Sequence, residues 1–237
     1  MINLCDLALS SMVFDGLTGY TSSLSRLAEV TNGRVDLTDQ THRMAVLKWL
    51  NDWGCRHLSK EQHETASASL CTWYTNSGAS LFSVDRLLWD LTDVEIAAAA
   101  FAYGSLKGMP GAWRTINGRR SPWLIGPTAA SKVLFALRPH ALLPWDDAIR
   151  DGFECDGSAE SYLRFLREIR EQAKGTAGAC EKIGFGITGL PNALGCPNAT
   201  VIELINKYLW MKHSREWSPP TPEIVARWAA WGSGQGI

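Results

Sequence analysis

Two adjacent carboxylates, Asp146 and Asp147, stand at a predicted helix start, directly after the apolar run Leu142–Trp145. A carboxylate at the end of an apolar run is partly desolvated, and an ionised carboxylate can stabilise a cationic transition state. Earlier in the chain, Gly126–Thr128 opens another predicted helix, whose free backbone amides suit a phosphate. The spacing predicts a phosphate-binding turn near a catalytic carboxylate. A simpler interpretation is that Thr128 and Asp146 are ordinary N-caps.

The segments that position these groups read as helix, apolar connection and helix. The first helix carries an apolar stripe at helical spacing, and it ends at Arg138-Pro139 because a proline disfavours helix in the residue before it. The second helix continues through Ile149 to Phe153. The stripe of the first helix is formed by Ala129, Val133, Leu134 and Leu137.

This order of elements resembles the core of the helix-hairpin-helix DNA glycosylase superfamily. Members of that family carry text like LPGVGxKTA, followed by PVDTHVxR. Gly126 lies where the hairpin's second glycine would be, and the segment Pro144–Arg150 lies over PVDTHVR. The resemblance implies that Asp146 is the catalytic aspartate. It covers the stretch 121–153 closely.

The sequence departs from the family pattern at several positions. Leu124 replaces the first glycine of the hairpin, and Ala148 replaces a histidine that is common after the aspartate. Thr128 stands at the position of the lysine that gives some members lyase activity. The resemblance therefore implies a monofunctional glycosylase, which flips a base out of double-stranded DNA and leaves an intact strand with an abasic site.

The resemblance also suggests which residues contact DNA. Gly126 and Thr128 would hold a phosphate, and Lys132 is a candidate for a further backbone contact, although an exposed lysine is the simpler interpretation. The segment 107–120 is predicted to be a loop rich in glycine, proline and basic residues, and its Arg119 and Arg120 are further candidates. Trp113 and Trp145 are candidates for stacking on a base or sugar, with core packing as the alternative.

The favoured substrate is a glucosylated hydroxymethylcytosine of phage DNA, because the chain looks similar to bacterial anti-phage glycosylases of this superfamily. Eleven tryptophans would suit such an enlarged base. Two alternatives stay open: repair of an alkylated or oxidised base, and a non-catalytic helical module that binds DNA or protein. The net charge of −1 favours the module, since no global basic field attracts nucleic acid.

The remaining composition predicts no metal, no cofactor and no membrane span. The five histidines and six cysteines are not at metal-binding spacing, and neither a P-loop nor a dinucleotide fingerprint occurs. The N-terminal residues lack the pattern of a signal peptide. We expect a monomer with free thiols in the reducing cytoplasm.

The helical patterns predict an all-α protein of about eight to ten helices, with no convincing strand. Predicted caps include Thr41, Ser59, Thr92 and Ser158, the last opening a helix to Lys174. The 237 residues would form one glycosylase-like unit of two lobes. One lobe contains residues 35–155, and the other contains residues 156–237 with the N-terminal segment. We expect Asp146 in the cleft between them.

Overall fold

The computed structural model describes residues 2–234, and most of them are helical. The helices are α1 (Leu4–Leu17), α2 (Tyr20–Thr31), α3 (Gln40–Asp52), α4 (His63–Trp73), α5 (Asp93–Lys107), α6 (Gly126–Leu137), α7 (Asp147–Gly152), α8 (Ala159–Lys182), α9 (Leu190–Ala193), α10 (Val201–Ser214) and α11 (Pro222–Gly232). A two-stranded antiparallel sheet pairs β1 (Pro110–Ile116) with β2 (Arg119–Leu124). The predicted helical fold is confirmed, and within residues 2–234 the α-helices number eleven rather than eight to ten.

The prediction of no strands and of a loop over 107–120 is wrong, because residues 110–124 form a β-hairpin. Asn117 and Gly118 join its strands with φ values of 49° and 72°. Positive φ at both central residues is what a two-residue type I′ turn requires, and Asn-Gly is its preferred sequence. The strands themselves have little apolar alternation, which hides them from a periodicity argument.

The first forty residues contain two helices, of which α1 lacks a sequence signal. Its buried side includes the serines Ser10 and Ser11 beside Leu7 and Phe14, so the apolar stripe is interrupted. The side chain of Asn3 caps the helix. Because a buried serine counts as polar in a hydropathy pattern, the helical period is masked.

Helix starts confirm some predicted caps and correct others. Thr92 forms a complete capping box with Glu95, and Ser158 caps α8. Asp39, rather than Thr41, caps α3. The Ser59 side chain caps no helix, since a short 3-10 segment follows it.

Helix α8 continues to Lys182, eight residues beyond the predicted end at Lys174. Gly175 and Gly178 lie inside it. The buried side chains Thr176 and Cys180 continue the inner face of the helix past these glycines. Tertiary packing therefore outweighs the low helix propensity of glycine here.

The helices that position the candidate site share one hydrophobic core. α5 packs against α6 and α8, while α10 packs against α1 and α7. One cluster of buried side chains contains Leu134 of α6, Tyr162 of α8 and Leu209 of α10. The division into lobes 35–155 and 156–237 stays a prediction. Within residues 2–234, no helix has the combined length and apolar content needed to cross a bilayer.

Candidate active site

A cavity of about 570 Å³ opens beside the starts of α6 and α7. Its walls come from the region predicted to form one lobe and from both flanking regions predicted to form the other. The lining residues are Phe14, Tyr20, Trp53, Gly54, Cys55, His57, Trp123, Leu124, Ile125, Gly126, Pro127, Thr128, Lys132, Pro144, Trp145, Asp146, Asp147, Ala148, Ile149, Asn206 and Trp210. The cavity thus brings together four of the predicted site residues, Gly126, Thr128, Lys132 and Asp146, and touches Trp145.

Asp146 is held at the cavity by both of its carboxylate oxygens. Oδ1 accepts a hydrogen bond from the Ile149 backbone N–H at 2.9 Å, so the residue is the N-cap of α7. Oδ2 accepts a hydrogen bond from the Ser214 hydroxyl at 2.8 Å. The carboxylate is partly buried and has a fixed orientation, so the N-cap role and a catalytic role are compatible here.

Asp147 has a different environment from its neighbour. Its side chain is 84% exposed and forms an ion pair with Arg150. Arg150 also donates a hydrogen bond to the Thr128 hydroxyl at 3.1 Å. The exposed carboxylate therefore neutralises an arginine that ties α7 to α6, while Asp146 lines the cavity.

Helix α6 begins with open backbone amides at the cavity wall. Gly126 has a φ of +77°, which an L side chain adopts only with strain, so glycine suits the turn. The interpretation of Thr128 as an N-cap is wrong, because α6 has no side-chain cap and the Thr128 hydroxyl accepts from Arg150. Its uncapped N-terminus retains the capacity to bind an anion.

Lys132 lies inside the protein, so its interpretation as an exposed lysine is wrong. Only 9% of the residue is exposed, and Nζ donates a hydrogen bond to the Trp53 carbonyl. Nζ also lies 5.7 Å from the centroid of the Trp53 ring. The same ammonium opposes the rise that burial causes in the pKa of the Cys55 thiol. Lys132 therefore supplies a positive charge to the cavity wall.

The two predicted stacking tryptophans lie in contrasting places. Trp145 is 1% exposed and packs among Tyr103, Tyr162 and Phe165, with ring centroids 4.9 to 5.7 Å away. Its core-packing interpretation therefore describes most of the ring. Trp113 is exposed on the hairpin and does not line the cavity. The aromatic side chains that do line the cavity are Phe14, Tyr20, Trp53, Trp123, Trp145 and Trp210.

The β1–β2 hairpin carries Arg114, Arg119 and Arg120, which all lie outside the cavity. Among the described residues, none of the three forms an ion pair with a carboxylate. Arg120 lies over the Trp113 ring at 4.5 Å, and Arg114 lies over the Trp123 ring at 5.2 Å. Diagonal arginine–tryptophan pairs thus order both sides of the hairpin without neutralising its charge.

His57 joins the hairpin to the cavity. Its Nε2 donates a hydrogen bond to the Ile125 carbonyl at 3.1 Å, and its ring stacks on Trp123 with centroids 5.3 Å apart. Burial lowers the pKa of His57, although the hydrogen bonds to backbone carbonyls oppose this effect. The His57 imidazole therefore anchors the base of the β1–β2 hairpin.

Comparison with family models, with curated proteins and with solved structures found no match. The resemblance to helix-hairpin-helix glycosylases therefore stays a prediction from the residues of the stretch 121–153. Within residues 2–234, no cluster of three or more His, Cys, Asp or Glu side chains is arranged to hold a metal ion.

Several residues at the site carry no functional signal in the sequence. Ser214 and Asn206 lie in α10, far along the chain from Asp146, and nothing in their spacing links them to it. Tyr20 and Trp53 reach the cavity from the ends of other helices. Arg150 could have been found, because it stands three residues after Asp147 on a predicted helix, where opposite charges pair.

Proposed function

We propose that the protein is a monofunctional DNA glycosylase that excises a modified base. The observation that carries the proposal is the position of Asp146, a partly buried carboxylate fixed at the wall of a cavity of about 570 Å³. Small-molecule sites are commonly cavities of roughly 300–1,000 Å³. A base that leaves the duplex needs such a cavity next to the group that acts on its sugar.

Asp146 acts on the bond between the base and the sugar. As that N-glycosidic bond breaks, positive charge develops on the sugar, and the ionised carboxylate stabilises it. The Ile149 amide and the Ser214 hydroxyl hold the carboxylate before the reaction, so it does not have to reorganise as charge develops. The same group orients the attacking water.

The DNA backbone is bound by two neighbouring features. The uncapped start of α6, at Gly126 and Thr128, offers backbone amides to a phosphate beside the cavity. Arg114, Arg119 and Arg120 on the hairpin supply positive charge to phosphates farther along the strand. The exposed ring of Trp113 lies beside these arginines and suits stacking on an unpaired base.

The strand stays intact after the base has left. Thr128 stands where lyase members have a lysine, and both nearby lysines are engaged: Lys132 with the Trp53 carbonyl, and Lys107 with the Gly157 carbonyl at 3.0 Å. We expect nicking only after alkali or an added endonuclease. Covalent trapping of the wild-type protein on DNA by borohydride would contradict the absence of lyase chemistry.

The favoured substrate is glucosylated hydroxymethylcytosine in phage DNA. Polar and aromatic groups share the cavity wall, which suits a base that carries a sugar. If the wall bonds the sugar hydroxyls, a plain base leaves those groups unpaired, and discrimination of about 10⁴-fold is physically reasonable.

The substrate test uses three DNAs that contain glucosylated hydroxymethylcytosine, hydroxymethylcytosine or cytosine. Abasic sites are counted after incubation with the protein. We expect sites in the glucosylated DNA and sparing of cytosine DNA. Equal release from all three, or release of alkylated purines alone from damaged DNA, would remove the modified-cytosine substrate and favour a repair glycosylase.

A non-catalytic DNA-binding module is the second candidate. The exposed arginines of the hairpin favour it, since they suit DNA binding whether or not any base is released. Under this alternative, the protein binds duplex DNA with a salt-dependent affinity but produces no abasic site in any of the DNAs, including alkylated DNA.

A further inference from the structure

Asn206 is a buried polar side chain at the cavity that has no protein partner. The residue is 6% exposed and lines the cavity. Within residues 2–234, its amide makes no hydrogen bond to any other group. Its flanking positions in α10, Ile205 and Lys207, are also buried. Asn206 therefore has a donor and an acceptor available to a group that enters the cavity.

The adjacent charged residue shows how this helix normally satisfies buried polar groups. Lys207 is 2% exposed, and its Nζ lies 2.9 Å from Asp15 and 3.4 Å from Glu203. The pair with Asp15 fixes α10 against α1, and the pair with Glu203 lies within α10. The wall that carries Asn206 is therefore held in place by its neighbours, while Asn206 itself contributes nothing to that attachment through hydrogen bonds.

The surroundings of Asn206 suit a flat, polar ring. Trp210 lies one turn farther along α10, and its ring is 6.1 Å from Tyr20, which is 5.5 Å from Trp53. Of these three, Tyr20 and Trp210 are partly exposed. The ammonium of Lys132 lies over Trp53 and extends the wall with a hydrogen-bond donor. Aromatic faces next to polar groups are the features that hold a flipped base.

We propose that Asn206 recognises the edge of the excised base, an inference that rests on the proposed glycosylase function. A side-chain amide presents an acceptor beside a donor. Cytosine-type bases present the complementary pair, an amino donor beside a ring nitrogen acceptor. Bidentate pairing of this kind orients the ring in the cavity beside Tyr20 and Trp210 and turns its glycosidic bond toward Asp146. Asn206 is therefore a specificity-determining residue, and Asp146 remains the catalytic one.

The test compares Asn206→Leu and Asn206→Asp with the wild type. Leucine removes both hydrogen bonds, whereas aspartate keeps the size and polarity but cannot donate when ionised. Asn192→Leu is the matched control, because Asn192 is exposed and lies outside the cavity wall. The probes are the free base 5-hydroxymethylcytosine, measured by calorimetry, and duplex DNA with a tetrahydrofuran abasic site, which contains no base to read.

We expect both Asn206 variants to bind the free base roughly tenfold or more weakly than the wild type and the control. All four proteins should bind the tetrahydrofuran duplex with equal affinity, which a general loss of structure would not permit. If Asn206→Leu fails to fold, the comparison rests on Asn206→Asp. Wild-type affinity for the free base in either folded variant would overturn the inference, as would failure of the wild type to bind the base at millimolar concentration.

The role of Asn206 and the proposed glycosylase function can fail independently, and the measurements distinguish the two failures. Abasic sites made equally well by Asn206→Leu and by the wild type would overturn the role of Asn206 and leave the glycosylase standing. Binding of the free base that depends on Asn206, without abasic sites in any DNA, would overturn the glycosylase and support a base-binding site.

Discussion

The α6–α7 stretch and the β1–β2 hairpin both carry charged groups, but they hold them in opposite ways. Asp146 has a partner for each oxygen, and Lys132 is buried against the Trp53 carbonyl. The hairpin arginines are exposed, and Arg114 and Arg120 lie over tryptophan rings. The first region fixes its charges, whereas the second leaves them free to meet an external anion.

This difference suits the two regions to different roles. A group that stabilises a transition state gains from a fixed orientation, because it avoids reorganisation during the reaction. A group that attracts a phosphate backbone gains from exposure, since its contribution is the release of counterions. Under the proposed glycosylase function, changes in the α6–α7 stretch should therefore alter the chemical step, and changes in the β1–β2 hairpin should alter affinity for DNA.

The largest effect is expected at Asp146. Asp146→Asn removes the charge with little change in volume, and the single-turnover rate of base release should fall about 100-fold or more. DNA affinity should stay near that of the wild type. The matched control is Asp147→Asn, whose exposed carboxylate pairs with Arg150, and it should retain most of the rate. If Asp146→Asn kept the wild-type rate and Asp147→Asn lost it, Asp147 rather than Asp146 would match the catalytic aspartate of the motif.

The next largest effect is expected from the arginines of the β1–β2 hairpin. Replacing Arg114, Arg119 and Arg120 with glutamine should weaken DNA binding and reduce the slope of log affinity against log salt by up to about 2.7, at about 0.9 for each phosphate contact. The single-turnover rate at saturating protein should stay unchanged. A lower single-turnover rate at saturating protein would contradict the assignment of DNA affinity to the hairpin and of the chemical step to the α6–α7 stretch.

A smaller effect is expected at Ser214, which acts through Asp146. Ser214→Ala removes the hydrogen bond to Oδ2, and the single-turnover rate should fall about tenfold through loss of orientation. Ser214→Thr keeps a hydroxyl and should restore most of the rate. Equal rates for the alanine variant and the wild type would show that the Ile149 amide alone positions the carboxylate.

The smallest effect concerns His57, which connects the two regions. Its folded pKa lies below the usual value of 6.5, so the unfolded chain takes up the proton first as the pH falls. Stability should therefore decrease below pH 6.5, and the decrease should be less steep in His57→Gln. Thermal unfolding of both proteins, followed between pH 7.5 and 5.5, measures this loss of stability. If stability changed with pH identically in the two proteins, His57 would not contribute to the pH dependence of stability.

The α6–α7 stretch could be predicted because its signals are local. Gly126, the apolar stripe and Asp146 each follow from spacing and from rules for helix ends, and the structure has helices at these places. The hairpin also had a local signal in Asn117-Gly118, which its weak apolar alternation obscured. Thr128 and Lys132 were harder, because their partners Arg150 and Trp53 come from other elements.

The rest of the site depends on contacts between distant segments. Ser214 reaches Asp146 across 68 positions of the chain, and Asn206 shares the cavity with Tyr20 from the N-terminal region. A serine or an asparagine in a helix has no periodicity that marks it as functional. Only the packing of α10 against α1 and α7 brings these side chains to the cavity.

The most direct test of the central claim identifies what the protein releases from glucosylated phage DNA. Mass spectrometry of the small products is combined with a count of abasic sites in the strand. Cleavage of the N-glycosidic bond predicts free glucosylated hydroxymethylcytosine and abasic sites in equal amounts from the wild type, with neither from Asp146→Asn. Release of glucose alone, release of nucleotides, or no product from the wild type would contradict a DNA glycosylase.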